Sequence, residues 1–517
     1  MTAHALALRI AAAALALGVV WDGMVRYVPW GVNVVVWTGM FVAAGIWCRV
    51  SGIRGVTADE TGSASPPAPD TRHLTPDTLF DTLFPAASAL LASLGLLWRD
   101  SGSLVALDIL LLLVFLPMLG LGARGVRLQA AGVGAIALGW LVTAVQAVAG
   151  LVLLVTRELK LPAARPSSGR LRVVVRGTLL AAPALLVFGA LLTSADAKFE
   201  LLVQNLFTFR LEELFAHLAV IAIVTAVCAG YLRAFAYEDE LVALARRPPT
   251  LRLAVAETTF ALGLVNLLFA MFVGVQFRYF FGAPPATLSA YARRGFFELV
   301  FLVALVVPML LLLDWLVDDE RVRPLFRIMV FAQIGLVLII AASAYYRMHL
   351  YRAEFGLTTQ RLFTTAVMLW LAFVLVWLAA TVLTGRRERF AIGALAAGVA
   401  TVVILHAINP DALIVRTNLA RAGDRPFDAN YALQLSDDAA EVILTDPRIP
   451  PETAIRFAKR QRTIGWRTWN VSRGRAIALI RAGGYESKAM PPIRPGRLPG
   501  STRESSSSRR LEISRKR

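Results

Sequence analysis

Twelve apolar stretches dominate this chain, at 5–21, 30–48, 83–98, 103–122, 129–155, 172–193, 210–232, 254–277, 295–316, 325–345, 361–384 and 390–407. A helix needs roughly 20 apolar residues to cross a bilayer. Twelve such helices use a little under half of the 517 residues. Composition agrees: 57% of residues are hydrophobic and 17% charged, and the mean hydropathy is +0.63. Soluble domains carry about 25% charged residues. An ordinary cytosolic enzyme and a disordered chain are both excluded. The expected fold is all-α, a polytopic transmembrane bundle of about 12 helices over residues 1–408.

Trp21, Trp30, Trp47, Trp98 and Trp315 stand near the ends of these stretches, as in an interfacial aromatic belt. The first stretch reads as a retained helix. Its leading segment has only Arg9, and no small-x-small cleavage pattern follows. The stretch at 83–98 is short, so it is either re-entrant or covered by a tilted neighbour. The link at 49–82 is rich in Pro, Ser, Thr and Asp and reads as a flexible loop. Cys48 and Cys228 cannot build a disulfide framework and read as small hydrophobes in packed helices.

Basic residues in short loops set membrane orientation. The links after the fifth, seventh, ninth and eleventh stretches carry sixteen, including Arg157, Lys160, Arg246, Arg247, Arg321 and Arg387. The alternate links carry seven, including Lys198, Arg278, Arg293, Arg347 and Arg361. With twelve crossings, this places both termini on one side, outside.

The last hundred residues differ in kind. Asn409-Pro410-Asp411 joins an N-cap, a proline at the first helical position and an acid in the first turn. Ser436-Asp437-Asp438 and Pro450-Pro451-Glu452 open further helices, and Ser472–Ile480 forms a short fourth. Residues 409–486 therefore read as a small helical region packed on the bundle. Residues 487–517, dominated by Pro, Ser and Arg, read as disordered. The net charge is +18, and residues 409–517 hold 21 basic against 11 acidic side chains. Beside a bilayer this points to anionic lipid headgroups, with no specific nucleic acid expected.

Several ordered motifs carry a resemblance. They begin with Pro29-Trp30-Gly31-Val-Asn33 and Trp98-Arg99-Asp100-Ser101, then Gln276-Phe-Arg278-Tyr279 and Tyr291-Ala-Arg293-Arg294-Gly295-Phe-Phe-Glu298. Phe355-Gly356-Leu-Thr358, Asn409-Pro410-Asp411, Tyr431…Asp438 and Trp466-Arg-Thr-Trp469-Asn470-Val-Ser472-Arg473 follow. In that order they resemble the DUF4153/DUF4173 family of bacterial multi-pass membrane proteins. The resemblance implies a bacterial integral membrane protein, and neither an activity nor catalytic residues.

No nucleotide, hydrolase or zinc signature occurs. His4, His73, His217, His349 and His406 are scattered, so no metal or cofactor is expected. Ionisable residues at membrane depth are costly, by roughly 2.5–3.5 kcal/mol at a helix centre. Asp108, Glu257 and Asp314 read as snorkelling or interfacial, and Asn266 as an interhelical hydrogen-bonding residue. Tyr291, Arg294 and Glu298 share a helical stripe, and Arg347, Tyr351 and Glu354 form a similar one. If the last five stretches all cross, the links after the eighth and tenth share a side with the tail. One composite polar face is then expected from Arg278, Tyr279, Tyr291, Arg294, Glu298, Arg347, Tyr351, Arg352, Glu354, Arg361, Asn409, Asp411, Arg416 and Asn418. It would bind a phosphate or carboxylate headgroup, or pin the tail to the bundle.

Two functions fit. One is a non-enzymatic envelope scaffold, sensor or transporter-like protein. The other is a membrane-embedded transferase acting on a lipid-linked substrate, with Asp22 as its acid in the first link. That link has about eight residues, and the orientation above makes it cytoplasmic.

Overall fold

The computed structural model describes residues 3–26, 29–59, 76–123, 126–130, 132–159, 211–236, 255–280, 296–316, 323–382, 384–386, 388–421, 427–460, 462 and 465–485, with positions 177, 181, 188 and 192. Side chains at 51–78, 211–212, 255–256, 276–280, 296–299, 314–316 and 323 lie outside that description.

The bundle contains α1 (Ala3–Val20, prolonged by a π-helical turn Trp21–Val25), α2 (Val32–Asp59), α3 (Pro76–Trp98), α4 (Gly102–Ala123) and α5 (Val133–Leu153, prolonged by a π-helical turn Leu154–Glu158). It continues with α6 (Leu211–Ala236), α7 (Val255–Phe280), α8 (Phe296–Leu316), α9 (Arg323–Phe355), α10 (Thr359–Val382) and α11 (Glu388–Ile408). Ten of these are long and apolar enough to cross a membrane, among the described residues. Helix α8 has a shorter apolar stretch, Val300–Leu313. The stretch at 172–193 lies outside the described residues except at 177, 181, 188 and 192. The protein is a polytopic helical membrane bundle.

The stretch at 83–98 is longer than its sequence suggests. Helix α3 begins at Pro76, and its apolar span is Leu79–Trp98, 20 residues. Asp81 and Thr82 masked the first turn. Asp81 is buried and accepts from Gln129 N at 3.4 Å, and Thr82 Oγ1 accepts from Arg49 Nη1 at 2.5 Å. With its polar groups answered inside the protein, that turn stays at membrane depth.

One apolar core joins α1, α2, α5 and α6 through Ile10, Phe41, Leu154 and Leu232. A second joins α7 to α11 through Leu262, Val306, Val330, Leu375 and Phe390. Helices α3 and α4 lie between them, packed on α11 through Phe115 and Val399. Gly150 of α5 meets Gly230 of α6 backbone to backbone, so a Cβ at either position would strike the other helix. Close helix approach of this kind is the use of small residues in membrane bundles.

The tail packs at one end of the bundle as α12 (Pro410–Ala420), α13 (Ala429–Ala432), α14 (Ala440–Thr445), α15 (Pro451–Ala458) and α16 (Val471–Ala482). Its core residues Ile414, Val415, Ile443 and Phe457 are continuous with Leu104 of α4, Leu362 of α10 and Leu405 of α11. Residues 487–517 lie outside the described residues.

The tail contacts identify the end at which each helix starts or stops. Val32 N and Asn33 N donate to Trp469 O and Arg467 O, both at 3.0 Å, so α1 ends and α2 begins beside the tail. Asn470 Nδ2 donates to Leu96 O and Arg99 O, placing the α3–α4 link there too. His217 near the start of α6 meets Asp22 at 2.5 Å, so α6 runs away from the tail. Helix α5 is the exception to alternation. The 3-10 turn Leu128–Ala130 before it touches Asp81, at the far end of α3. Glu158 at its close holds Arg233, at the far end of α6. Helix α5 thus starts at the far end, and its closing turn is tied to the last part of α6. The expectation that both termini share a side is not met by the described helices. Helix α1 starts at the far end and α11 finishes at the tail end. A long apolar stretch licenses a crossing without requiring one.

Candidate functional site

The densest polar cluster lies where the tail meets the bundle. Asn409 directs the chain out of α11 in a left-handed conformation, φ 52°, which asparagine tolerates better than most residues. Its Oδ1 accepts from Ala412 N at 3.2 Å, and its Nδ2 donates to Asp438 O at 3.0 Å. Pro410 follows at the first helical position, where its missing N–H costs nothing. The next residue, Asp411, is buried. Its Oδ2 accepts from Ser436 N at 3.0 Å and Ser436 Oγ at 2.6 Å, and its Oδ1 from Ser101 Oγ at 3.3 Å. Burial pushes the Asp411 carboxyl pKa upward, against the pull of those bonds.

Asp438 is the hub. Its carboxylate is fully buried and takes Asp100 N and Ser101 N on Oδ2, both at 2.8 Å. Ser436 Oγ lies 3.2 Å from the same oxygen, Ser472 Oγ donates to Oδ1, and Arg99 Nη1 lies 3.7 Å away. Donors from the α3–α4 link and from the first turn of α16 thus converge on one carboxylate. Its neighbour Asp437 is gripped by Arg462, whose Nε and Nη2 reach it at 2.8–3.0 Å. Asn470 caps α16 by accepting from Ser472 N at 2.9 Å and Arg473 N at 3.3 Å. Arg473 donates to Trp30 O and lies 3.1 Å from Asp100. The α1–α2 link is fixed in turn by Asn33, whose Oδ1 accepts from Gly31 N at 2.7 Å. A Cβ on Gly31 would collide with Trp469 O, so the backbones approach only because glycine is there.

Beneath this latch, at membrane depth, His406 Nε2 lies 3.1 Å from Asp108 Oδ2, and its Nδ1 is 2.9 Å from Val402 O. A carbonyl only accepts, so Nδ1 carries a proton. The contact with Asp108 then needs a second proton, on Nε2 or on the carboxyl. Either placement leaves the pair neutral overall, which is the form that burial tolerates. Asp108 is therefore a buried, paired acid and not a snorkelling one. Glu257 is exposed, the Asp314 side chain lies outside the described residues, and Asn266 Nδ2 donates to Met329 O of α9 at 3.0 Å.

The expected composite face is placed only in part. Arg278, Tyr279 and Glu298 stand on α7 and α8 with side chains outside the described residues, and Tyr291 and Arg294 lie outside them entirely. The remaining two groups do meet. Asn418 pairs with the Leu357 backbone at 2.8 and 2.9 Å, and Thr359 N donates to Tyr431 Oη at 2.8 Å. Arg421 donates to Arg352 O and Ala353 O. Arg361 covers the Tyr351 ring at 4.2 Å and donates to Phe355 O and Gly356 O. Arg347 is half-buried, and Glu354 and Arg416 are exposed. Asp22 is also misread by the sequence. It sits inside the last turn of α1, buried, with Arg26 at 3.1 Å and His217 at 2.5 Å, and not in an open link.

Burial pushes the Asp100 carboxyl up to about 6, with Arg473 opposing. A raised carboxyl pKa means that the folded state holds the proton more readily than the unfolded one between about pH 4 and 6. Its contribution therefore favours folding on the acid side and is lost as pH rises through 6. Resistance of the tail to trypsin should rise between pH 7 and 5, and Asp100→Asn should flatten that slope. A wild-type slope of opposite sign would refute the assignment.

No curated protein and no solved structure matches this chain. A family model described as a domain of unknown function, DUF4153, matches residues 86–445, from α3 to the end of α14. It takes in Asp100, Asp108, His406, Asp411 and Asp438, while Trp30, Asn470 and Arg473 fall on either side of it. With the match covering more than half of its length, this multi-pass membrane protein belongs to the DUF4153 family.

Proposed function

We propose that the protein is a non-enzymatic membrane scaffold or sensor that holds a rigid helical platform against one face of the bilayer. The supporting observation is that the junction carboxylates are spent on internal bonds: Asp438 on three donors, Asp437 on Arg462, Asp411 on Ser436 and Ser101. Networks answered in this way fix shape. The tail's excess of basic side chains favours anionic headgroups beside the platform. Photocrosslinkers at the exposed positions Trp466 and Arg416 in intact cells should trap a discrete partner band, lost when Asp438→Ala frees the platform. No band at any platform position would overturn the scaffold.

The platform face is read as extracytoplasmic, in a bacterial cytoplasmic membrane. The far-end links carry Arg49, Arg54, Arg72, Arg124, Arg127, Arg157, Arg246, Arg247, Arg252, Arg321, Arg386 and Arg387. The tail-end links carry fewer, among them Arg26, Arg99, Arg293, Arg294, Arg352 and Arg361. The basic excess marks the cytoplasmic side. Alkaline phosphatase fused at 28, 100 or 420 should be active, and at 130 or 387 inactive. Activity at 130 but not at 28 would invert the orientation.

One observation favours the transferase as a second reading. Asp22 sits at the platform end beside His217, above an apolar cavity of about 310 Å³ lined by Trp21, Trp37 and Trp140. Transfer of label from polyprenyl-linked sugars that is lost in Asp22→Asn, with the tail still protease-resistant, would establish it. No transfer by the wild type across a donor panel would remove it.

A further inference from the structure

Helices α10 and α11 separate toward the platform and leave a cavity of about 520 Å³ between them. Its walls run from Leu362 to Phe373 on α10 and along Ala400 and Ile404 of α11, with Leu413 of α12 as its roof. Eleven residues of helix span about 17 Å. One leaflet of hydrocarbon is half of about 30 Å. The cavity is thus about one leaflet deep, and most of its wall belongs to two helices able to cross the membrane. Phe373 and Ile404, 48% and 59% exposed, form its open flank, so the acyl phase of the bilayer has access to it.

The wall is apolar except at the top. There Arg352, at the end of α9, joins the lining. Arg416 follows Leu413 by three residues on α12 and so lies on the same side of that helix. Arg416 is exposed, and neither guanidinium has an acceptor among the described residues. Arg361, by contrast, is engaged with Phe355 O and Gly356 O. An apolar slot of one-leaflet depth, with Arg352 in its lining and Arg416 one turn beyond its roof residue Leu413, matches a single molecule from the adjacent leaflet.

We propose that this slot is a binding site for one anionic phospholipid, with an acyl chain between α10 and α11 and its phosphate at Arg352 and Arg416. The surrounding bilayer supplies the occupant, because the slot opens sideways into hydrocarbon and carries cations only at headgroup height. Arginine suits a phosphate through its paired donors. The site stands independently of the scaffold reading.

Native mass spectrometry of the full chain tests it, in detergent with equal phosphatidylglycerol and phosphatidylcholine. The wild type should retain one phosphatidylglycerol per chain. Ala400→Trp fills the slot from its lipid-exposed flank and should lose both lipids. Val148→Trp, at a position 76% exposed elsewhere on the bundle, should retain them. Arg352→Gln with Arg416→Gln should keep a chain but lose preference, by about fivefold for each arginine. Wild-type occupancy in Ala400→Trp would overturn the site. An unchanged lipid ratio in the double arginine variant would overturn the anionic headgroup. Retention of inorganic phosphate without lipid would overturn the acyl slot.

Discussion

Asp438→Ala should release the platform from the bundle while leaving the bundle inserted. The substitution removes the acceptor of two buried amides, Asp100 N and Ser101 N, and of the Ser472 hydroxyl. Each buried donor left unmade costs about 1–3 kcal/mol. A loss of about 3–5 kcal/mol at the junction follows, comparable with breaking a buried ion pair. Trypsin should then cut at Arg462 and Arg473, whose side chains the latched form buries. Asp438→Asn keeps one acceptor oxygen and should lie between the two. Unchanged cleavage in Asp438→Ala would show that the apolar contacts of Ile414, Ile443 and Phe457 hold the tail without the carboxylate.

Glu158→Ala should be as damaging to the other half of the molecule. Arg233 and Glu158 form a buried pair at 2.6 Å, with side chains 3% and 9% exposed. Removing one charge strands the other at the membrane's edge, at about 3–5 kcal/mol. Replacing both with apolar residues of similar volume, Arg233→Met with Glu158→Leu, should restore most of the thermal stability in detergent. The double variant discriminates between explanations. If it is no better than Glu158→Ala, the pair seats the last turn of α5 on α6 and supplies more than mutual neutralisation.

The crossing helices were legible because apolar length is a local property, and so was the Asn409-Pro410-Asp411 cap. What escaped was pairing across the chain. Asp108 meets His406 almost three hundred residues later, so each alone read as a stray polar group. Asp438 was visible as a helix start, but its donors come from two distant places, the α3–α4 link and the start of α16. The motifs at Trp30, Trp98 and Trp469 were conspicuous, yet nothing local says that Trp469 O bonds Val32 N. Helix α5 misled most. Its span of 26 residues could cross a membrane, and only Gln129 beside Asp81 and Glu158 beside Arg233 show what its two ends meet. Asp22 was expected in a link because the apolar stretch paused there, whereas His217 and Arg26 let the helix continue through it.

The latch also fixes an order of events during synthesis. The amides of Val32, Asn33, Asp100 and Ser101 emerge early, but their acceptors at 438 and 467–469 emerge last. At about 5–20 residues per second, the gap between residue 101 and residue 470 lasts on the order of 20–70 seconds. Through that interval the first two tail-side links stay open while their helices are already in the membrane. Closure coincides with arrival of the final helix, so the early half of the chain is completed by its end. A nascent chain stalled before residue 436 would therefore display unsatisfied backbone at the membrane surface, a mark by which quality-control proteases could tell unfinished molecules from finished ones.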